Sequence, residues 1–196
     1  MKKLVLASLS PRRAQLLAQI GIPFTVMGSD VSEEVDVPSE PEAHVLTLSR
    51  RKAECVAGQI EEGVVLGVDT IVVLDEGILG KPRDAEEAGG MLGRLSGRWH
   101  RVFTGMTLLE VNPARPGADL SEVRSFSDFC TTAVKMRAIS EAEVAWYVGT
   151  GEPMDKAGAY GIQGKGAVFI ERIDGCFYNV MGLPVSRLVQ MLDGFW

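Results

Sequence analysis

The sequence has little of what would mark a secreted, membrane-spanning or metal-cluster protein. Its three cysteines, Cys55, Cys130 and Cys176, are odd in number and far apart, which argues against a disulfide framework and against paired zinc-ligand spacing. A reducing compartment is expected. The two histidines, His44 and His100, have no partner at metal-ligand spacing; His44 reads as a helix-surface residue and His100 as a strand residue. No apolar run approaches the roughly 20 residues of a membrane helix, so no transmembrane segment is expected. The basic start of MKKLVLASLSPRRAQLL raises the question of a signal peptide. Leu4 to Ala7 is too short for its apolar region, and arginines open the segment that follows, so none is expected. A net charge of -6 leaves no surplus of Lys and Arg for broad attraction to nucleic acid or anionic lipid. An anionic ligand must instead meet a local cluster of cations. There is no Walker-type phosphate loop, dinucleotide fingerprint or Ser-His-Asp order, and no internal repeat or low-complexity tract.

What is there is an ordinary globular chain: 196 residues, 46% hydrophobic and 23% charged. That length fits one domain, with room for two lobes sharing a core. Lys3 to Ala7 reads as a buried strand, and Ser8-Leu9-Ser10-Pro11 turns it into a helix over Arg12 to Ile20, closed by Gly21 and Pro23. Phe24 to Met27 is a second strand, followed by an acidic loop to Pro38. Ser39 and Glu42 form a capping box for a helix to about Ala57. Val64 to Leu74 is the most hydrophobic strand, and Asp75-Glu76-Gly77 turns it into a short partner ending near Lys81-Pro82. Asp84 and Glu87 cap a helix ending at Ser96-Gly97. Trp99 to Val111 and Val123 to Met136 alternate as paired strands, joined by a Pro- and Gly-rich loop. Ser140 and Glu143 cap a helix through Val148, a glycine-rich segment runs from Gly149 to Gly166, Val168 to Ile173 is a strand, and Val185 to Leu192 is a closing helix. Crossover units mixed with hairpins predict an α/β fold with a mixed sheet and flanking helices.

Several residues could carry chemistry. Ser8-Leu9-Ser10-Pro11-Arg12-Arg13 puts hydroxyls and guanidiniums where helix N–H groups and the positive dipole end point, which suits phosphate. The plain alternative, a helix capped by Ser10 with both arginines solvated, is about as good. Asp69 lies mid-strand among aliphatic neighbours, where an ionised carboxylate needs a metal ion, a cation or bound water. A carboxylate so placed can activate water for attack on phosphorus; the alternative is a buried Asp satisfied by backbone N–H groups or by a lysine. Lys52 and Lys81 can each hold phosphate, and count only as members of a set. Glu33 and Glu34 in the acidic loop offer oxygen ligands for Mg²⁺ or Mn²⁺, though a solvated loop explains them equally. The segment from Gly151 to Gly164 brings backbone close to a ligand or packs through Tyr160 and Ile162, and the Gln163 amide can read a base edge.

Six collinear motifs then say more: Leu6 to Arg13, Gly67-Val-Asp-Thr70, Gly80-Lys-Pro82, Leu95-Ser-Gly97 with His100 to Gly105, Glu152 to Gly164, and Asn179 to Pro184. Together they resemble the Maf family of nucleoside triphosphate pyrophosphatases across nearly the whole chain. The resemblance implies a single domain over residues 1–196, of the Maf/ITPase-like type, with two lobes around a deep cleft, a cytoplasmic location and often a homodimer. It implies attack of water on the α-phosphorus of a nucleoside triphosphate with a divalent metal, Mg²⁺ or Mn²⁺, shielding the oxygens. By the same resemblance Asp69 accepts the proton from water and Glu33 and Asp69 hold the metal. Ser8, Arg13, Lys52 and Lys81 bind phosphate. Arg12, Thr70 and Gln163 match the positions that set base selectivity in the branch acting on dTTP and UTP, with modified pyrimidine nucleotides and a house-cleaning role in view. Departures from the family pattern are Val68 for alanine, Cys176 for serine, and the long loop Asn112 to Glu122. The competing readings are the same reaction on 7-methyl-GTP or another noncanonical nucleotide, and a non-catalytic regulator of cell division or septum formation. A nucleic-acid-binding module is disfavoured by the acidic balance.

Overall fold

The computed structural model describes residues 2–32, 40–112 and 123–196. Strand β1 (Leu4–Ala7) is four aliphatic residues buried on both faces, as a central parallel strand requires. Helix α1 (Pro11–Gln19) starts on Pro11, whose fixed φ suits a first helical position, and is closed by Gly21 at φ 73°. Strand β2 (Phe24–Val26), helix α2 (Pro41–Ala57) and strand β3 (Gly63–Leu74) follow. Leu4 of β1 pairs in parallel with Phe24 of β2 on one side and Val64 of β3 on the other, and Ala7 pairs with Gly67. The chain therefore runs out from β1 to one side and returns to the other. That makes the β1/β3 junction a topological switch point, where ligands of such sheets bind beyond the strands' carboxyl ends.

The second part of the chain is built from hairpins and helices. Asp75, left-handed at φ 56°, helps turn β3 back into the antiparallel β4 (Gly77–Leu79), with Leu74 opposite Gly77. Helix α3 (Ala85–Leu95), strands β5 (Trp99–Val111) and β6 (Ser125–Met136) and helix α4 (Glu141–Val148) come next. Three short 3-10 turns, Glu152–Asp155, Ala157–Ala159 and Gly164–Phe169, lead to β7 (Ile170–Asp174), then α5 (Phe177–Val180) and α6 (Val185–Leu192). The strands form a seven-stranded sheet in the order β2-β1-β3-β5-β6-β7, with β4 on β3. β7 is antiparallel to β6, so the sheet is mixed, as expected.

Some local expectations change. The forecast strand Val168 to Ile173 begins at Ile170, because Gly164–Phe169 coils into a 3-10 turn. The partner of β3 stops at Leu79, short of Lys81-Pro82. Glu40 is the N-cap of α2 and makes no side-chain capping bond. Ser39 of the forecast capping box lies outside the described residues. The caps at Asp84 and Ser140 do form: Asp84 accepts the Glu87 N–H at 2.8 Å, and Ser140 and Glu143 close a reciprocal capping box on α4.

The chain divides into two compact units. The first is Met1–Asp69, Thr104–Cys130 and Gly182–Trp196; the second is Thr70–Phe103 and Thr131–Met181. In the first, α2 presents Ser49, Lys52, Ala53 and Val56, one stripe at helical spacing, and Ala53 and Val56 pack with Val5, Ala7, Val65 and Leu109. The helix backbone lies directly on two glycines. A Cβ on Gly67 of β3 would stand 2.0 Å from the Ser49 carbonyl oxygen, and one on Gly105 of β5 would stand 2.5 Å from that of Val45. A run of hydroxyls accompanies this contact: Ser49 Oγ meets Thr107 Oγ1 at 2.9 Å, and Thr107 meets Ser127 Oγ at 2.9 Å. In the second unit, Val72, Leu74, Leu92, Leu95, Tyr147 and Phe169 form part of a separate buried cluster.

Candidate active site

Asp69 is the carboxylate that the strand pattern singles out, and β3 does bury it, at 6% exposure. It shares a face with Val65 and Gly67, the face on which α2 lies, and Lys52 reaches it from the helix stripe. Lys52 Nζ donates to Asp69 Oδ1 at 2.6 Å, with both side chains about one-tenth exposed. The compensating charge is therefore a lysine, one of the structural alternatives for Asp69, and Lys52 is also one of the residues that the resemblance assigns to phosphate. Among the described residues Oδ2 of Asp69 has no hydrogen-bond partner. It is placed to accept a proton from water or to meet a cation.

One step along the same switch point, β1 ends and Ser8 begins the turn into α1. Extending the Ala7–Gly67 register by one residue sets Ser8 opposite Val68, so Asp69, still within β3, lies just past the carboxyl end of β1, where Ser8 begins the turn. Ser8 is buried and its Oγ accepts from Arg13 Nη1 at 2.8 Å and from the Ser10 N–H at 3.3 Å. Arg13 Nε donates to the Gly182 carbonyl at 3.0 Å, so the guanidinium plane is held from two sides. Ser10 makes no side-chain cap, which removes the plain capping explanation of this turn. Arg12, half-buried, occupies the first turn of α1. A helix N-terminus carrying an oriented guanidinium is a phosphate-binding arrangement. The Gly182 carbonyl was not singled out from sequence; its motif, Asn179 to Pro184, was the only signal.

The other expected site residues fall elsewhere. Thr70 follows Asp69 in β3, is half-buried, and is the first residue of the second unit. Lys81 is exposed in the stretch after β4, whose Gly80 carbonyl accepts the Gly158 N–H at 3.0 Å. Gln163 is exposed between two 3-10 turns. Glu33 and Glu34 lie outside the described residues. Among the described residues no group of three His, Cys, Asp or Glu side chains converges on one point, so the carboxylate oxygen available to a cation here is that of Asp69. His100 is a buried strand residue, as expected. It bonds Tyr160 Oη through Nε2 at 2.7 Å, and burial pushes its pKa down to about 4.

The fold and these side chains define an α/β protein with a buried, lysine-paired carboxylate beside an arginine-lined helix start. The chain belongs to the Maf-like protein family, whose model matches residues 3–195. It is 48% identical over 195 residues to a dTTP/UTP pyrophosphatase of Symbiobacterium thermophilum, covering 100% of this chain and 95% of that protein. A dTTP/UTP pyrophosphatase of Bacillus cytotoxicus is 46% identical over 100% of this chain and 96% of its own length. One of Carboxydothermus hydrogenoformans is 48% identical over 97% of each. Among solved structures, the Ham1 protein of Staphylococcus aureus covers the whole chain at 15% identity and a TM-score of 0.48, a likeness too distant to bear on activity.

Proposed function

We propose that this protein hydrolyses dTTP and UTP to their monophosphates and pyrophosphate. The observation that carries the reading is the buried Asp69–Lys52 pair at the β1/β3 switch point, one strand from the Ser8–Arg13 pair. The names of relatives 46% to 48% identical over nearly their full lengths support the substrate. In this mechanism Asp69 Oδ2 takes the proton as water attacks the α-phosphorus. Lys52 sets its ammonium against Asp69 in an apolar strand, where it also meets phosphate. Ser8 and Arg13, joined by Lys81, hold phosphate oxygens, while Arg12, Thr70 and Gln163 select the base.

A divalent cation, Mg²⁺ or Mn²⁺, would be held by Asp69, with Glu33 as the expected second ligand, and would offset the charge that builds on the phosphate oxygens. A single carboxylate among the described residues fits a hard cation that takes its other ligands from water and substrate phosphate. Modified pyrimidine nucleotides fall within the same chemistry, which suits a house-cleaning role. A cytoplasmic homodimer is the proposed setting, and the odd number and wide scatter of the cysteines are in keeping with a reducing compartment.

The test is pyrophosphate release from dTTP, UTP, CTP, GTP, ATP and 7-methyl-GTP, with Mg²⁺, with Mn²⁺ and with chelator. Metal-dependent release from dTTP and UTP above the rest is expected. Preference for a methylated purine would keep the mechanism and overturn the roles of Arg12, Thr70 and Gln163. No release from any nucleotide by folded protein would overturn the reading.

A further inference from the structure

We infer that Tyr147 and Glu152 are positioning residues for base recognition: they clamp residues 161–166 and so fix Gln163, an inference that rests on the base-reading role proposed for Gln163. Tyr147, in the last turn of α4, is fully buried, with its ring edge-on to Phe169 at 5.2 Å. Its hydroxyl donates to Glu152 Oε1 at 2.9 Å and accepts the Gly161 N–H at 3.1 Å. Glu152 Oε2 accepts the Lys165 N–H at 3.0 Å, and Oε1 accepts the Gly166 N–H at 3.2 Å. One phenol and one carboxylate thus end three backbone donors that bracket Gln163 on both sides.

The glycines of this segment are shaped around the clamp. A Cβ on Gly166 would stand 2.4 Å from the Gly161 carbonyl oxygen and 2.6 Å from the Tyr147 hydroxyl, and one on Gly164, itself at φ 73°, would stand 2.8 Å from Glu152 Oε2. Gly161 leaves room for the stem of Lys156, whose Nζ donates to the Glu152 carbonyl and to Asp155 Oδ1, each at 2.6 Å. Burial opposes ionisation of Glu152, but the Lys165 and Gly166 N–H groups, the Tyr147 hydroxyl and nearby Lys156 outweigh it and lower its pKa. The carboxylate remains an acceptor for every donor aimed at it.

Gln163 takes no part in holding the segment: it is exposed, extended at φ -93° and ψ 160°, and its side chain makes no hydrogen bond among the described residues. An apolar pair would anchor a loop as firmly. A phenol and a carboxylate matched to three N–H groups specify one backbone path, which is what an exposed reading residue needs.

The experiment compares Tyr147→Phe and Glu152→Gln with Gln163→Ala as reference. It measures kcat and KM for dTTP, UTP and 7-methyl-GTP, thermal unfolding, and amide hydrogen exchange across 161–166. Tyr147→Phe keeps the ring on Phe169 and serves if Glu152→Gln fails to fold. Each clamp variant should raise KM for dTTP and UTP about tenfold with kcat within about twofold, and narrow the preference over 7-methyl-GTP. Exchange should quicken about tenfold, at Gly161 in Tyr147→Phe and at Lys165 and Gly166 in Glu152→Gln. Folded clamp variants with unchanged KM, or with kcat falling in place of the KM rise, would overturn the inference while a changed base profile in Gln163→Ala left the proposed function standing. An unchanged profile in Gln163→Ala would remove the base-reading role and the inference with it, whatever the exchange rates.

Discussion

Lys52 and Asp69 bind each other tightly enough that removing either has two separable effects. Lys52→Met leaves a buried carboxylate without its charge partner and should cost about 3–5 kcal/mol in denaturant unfolding. Asp69→Asn keeps an oxygen for Lys52 but cannot take a proton. Its unfolding cost should stay near about 1–2 kcal/mol while single-turnover hydrolysis falls about 10²- to 10⁴-fold. Full activity in Asp69→Asn would remove Asp69 from the chemistry. Asp69 was legible because a charge in an aliphatic strand is costly wherever the strand packs. Lys52, 17 residues away, was legible as a phosphate candidate but not as the partner of Asp69, although it sits on the same 3–4 stripe as Ser49, Ala53 and Val56, which carries its ammonium into the packed side of α2. The Gly182 carbonyl that orients Arg13 is 169 residues distant, and no local pattern encodes such a contact.

Among the elements, α2 sets the height of Lys52 over β3 through contacts without side chains. Gly67→Ala places a methyl group against the Ser49 carbonyl and Ala53 nitrogen, backbone atoms that cannot rotate away. The helix must move, at about 3 kcal/mol, and turnover should fall with it. Gly67→Ala at wild-type stability would show that α2 is not seated as described; unfolding midpoints and rates on one preparation decide it. The strands and most helices were readable because their causes are local: burial on both faces for β1 and β3, a cap three residues from its partner for α3 and α4. The 3-10 turn at Gly164–Phe169 was not, because the N–H groups of Lys165 and Gly166 are ended by Glu152, outside any local window. Glu33 and the loop 113–122, both part of the sequence reading, lie outside the described residues.

For the molecule as a whole, acid should be destabilising in two stages. His100 is held neutral, its pKa lowered by burial from 6.5 to about 4. Between those values the unfolded chain binds a proton that the folded chain refuses. This contribution is complete above pH 6.5 and lost as pH falls toward 4, and amounts to at most about 3 kcal/mol. Glu143 is lowered to about 2, chiefly by its hydrogen bond with Arg137 and then by those from Ser140, so its stabilisation exists above the unfolded value of 4.5 and disappears as pH falls toward 2. Urea midpoints should therefore drop between pH 7 and pH 5, and His100→Gln should flatten that slope; an unchanged slope would mean that His100 titrates normally in the fold. The lane of bare backbone under α2 also bears on sequence change over time. Where Gly67 meets Ser49 and Gly105 meets Val45, any added atom collides with main chain, so neither glycine can be replaced unless the helix facing it changes too. A saturation library scored for growth or folding should show columns of intolerance at 67 and 105 with a matching stripe along 45, 49, 52 and 53. Drift at 67 and 105 is then tied to the path of α2.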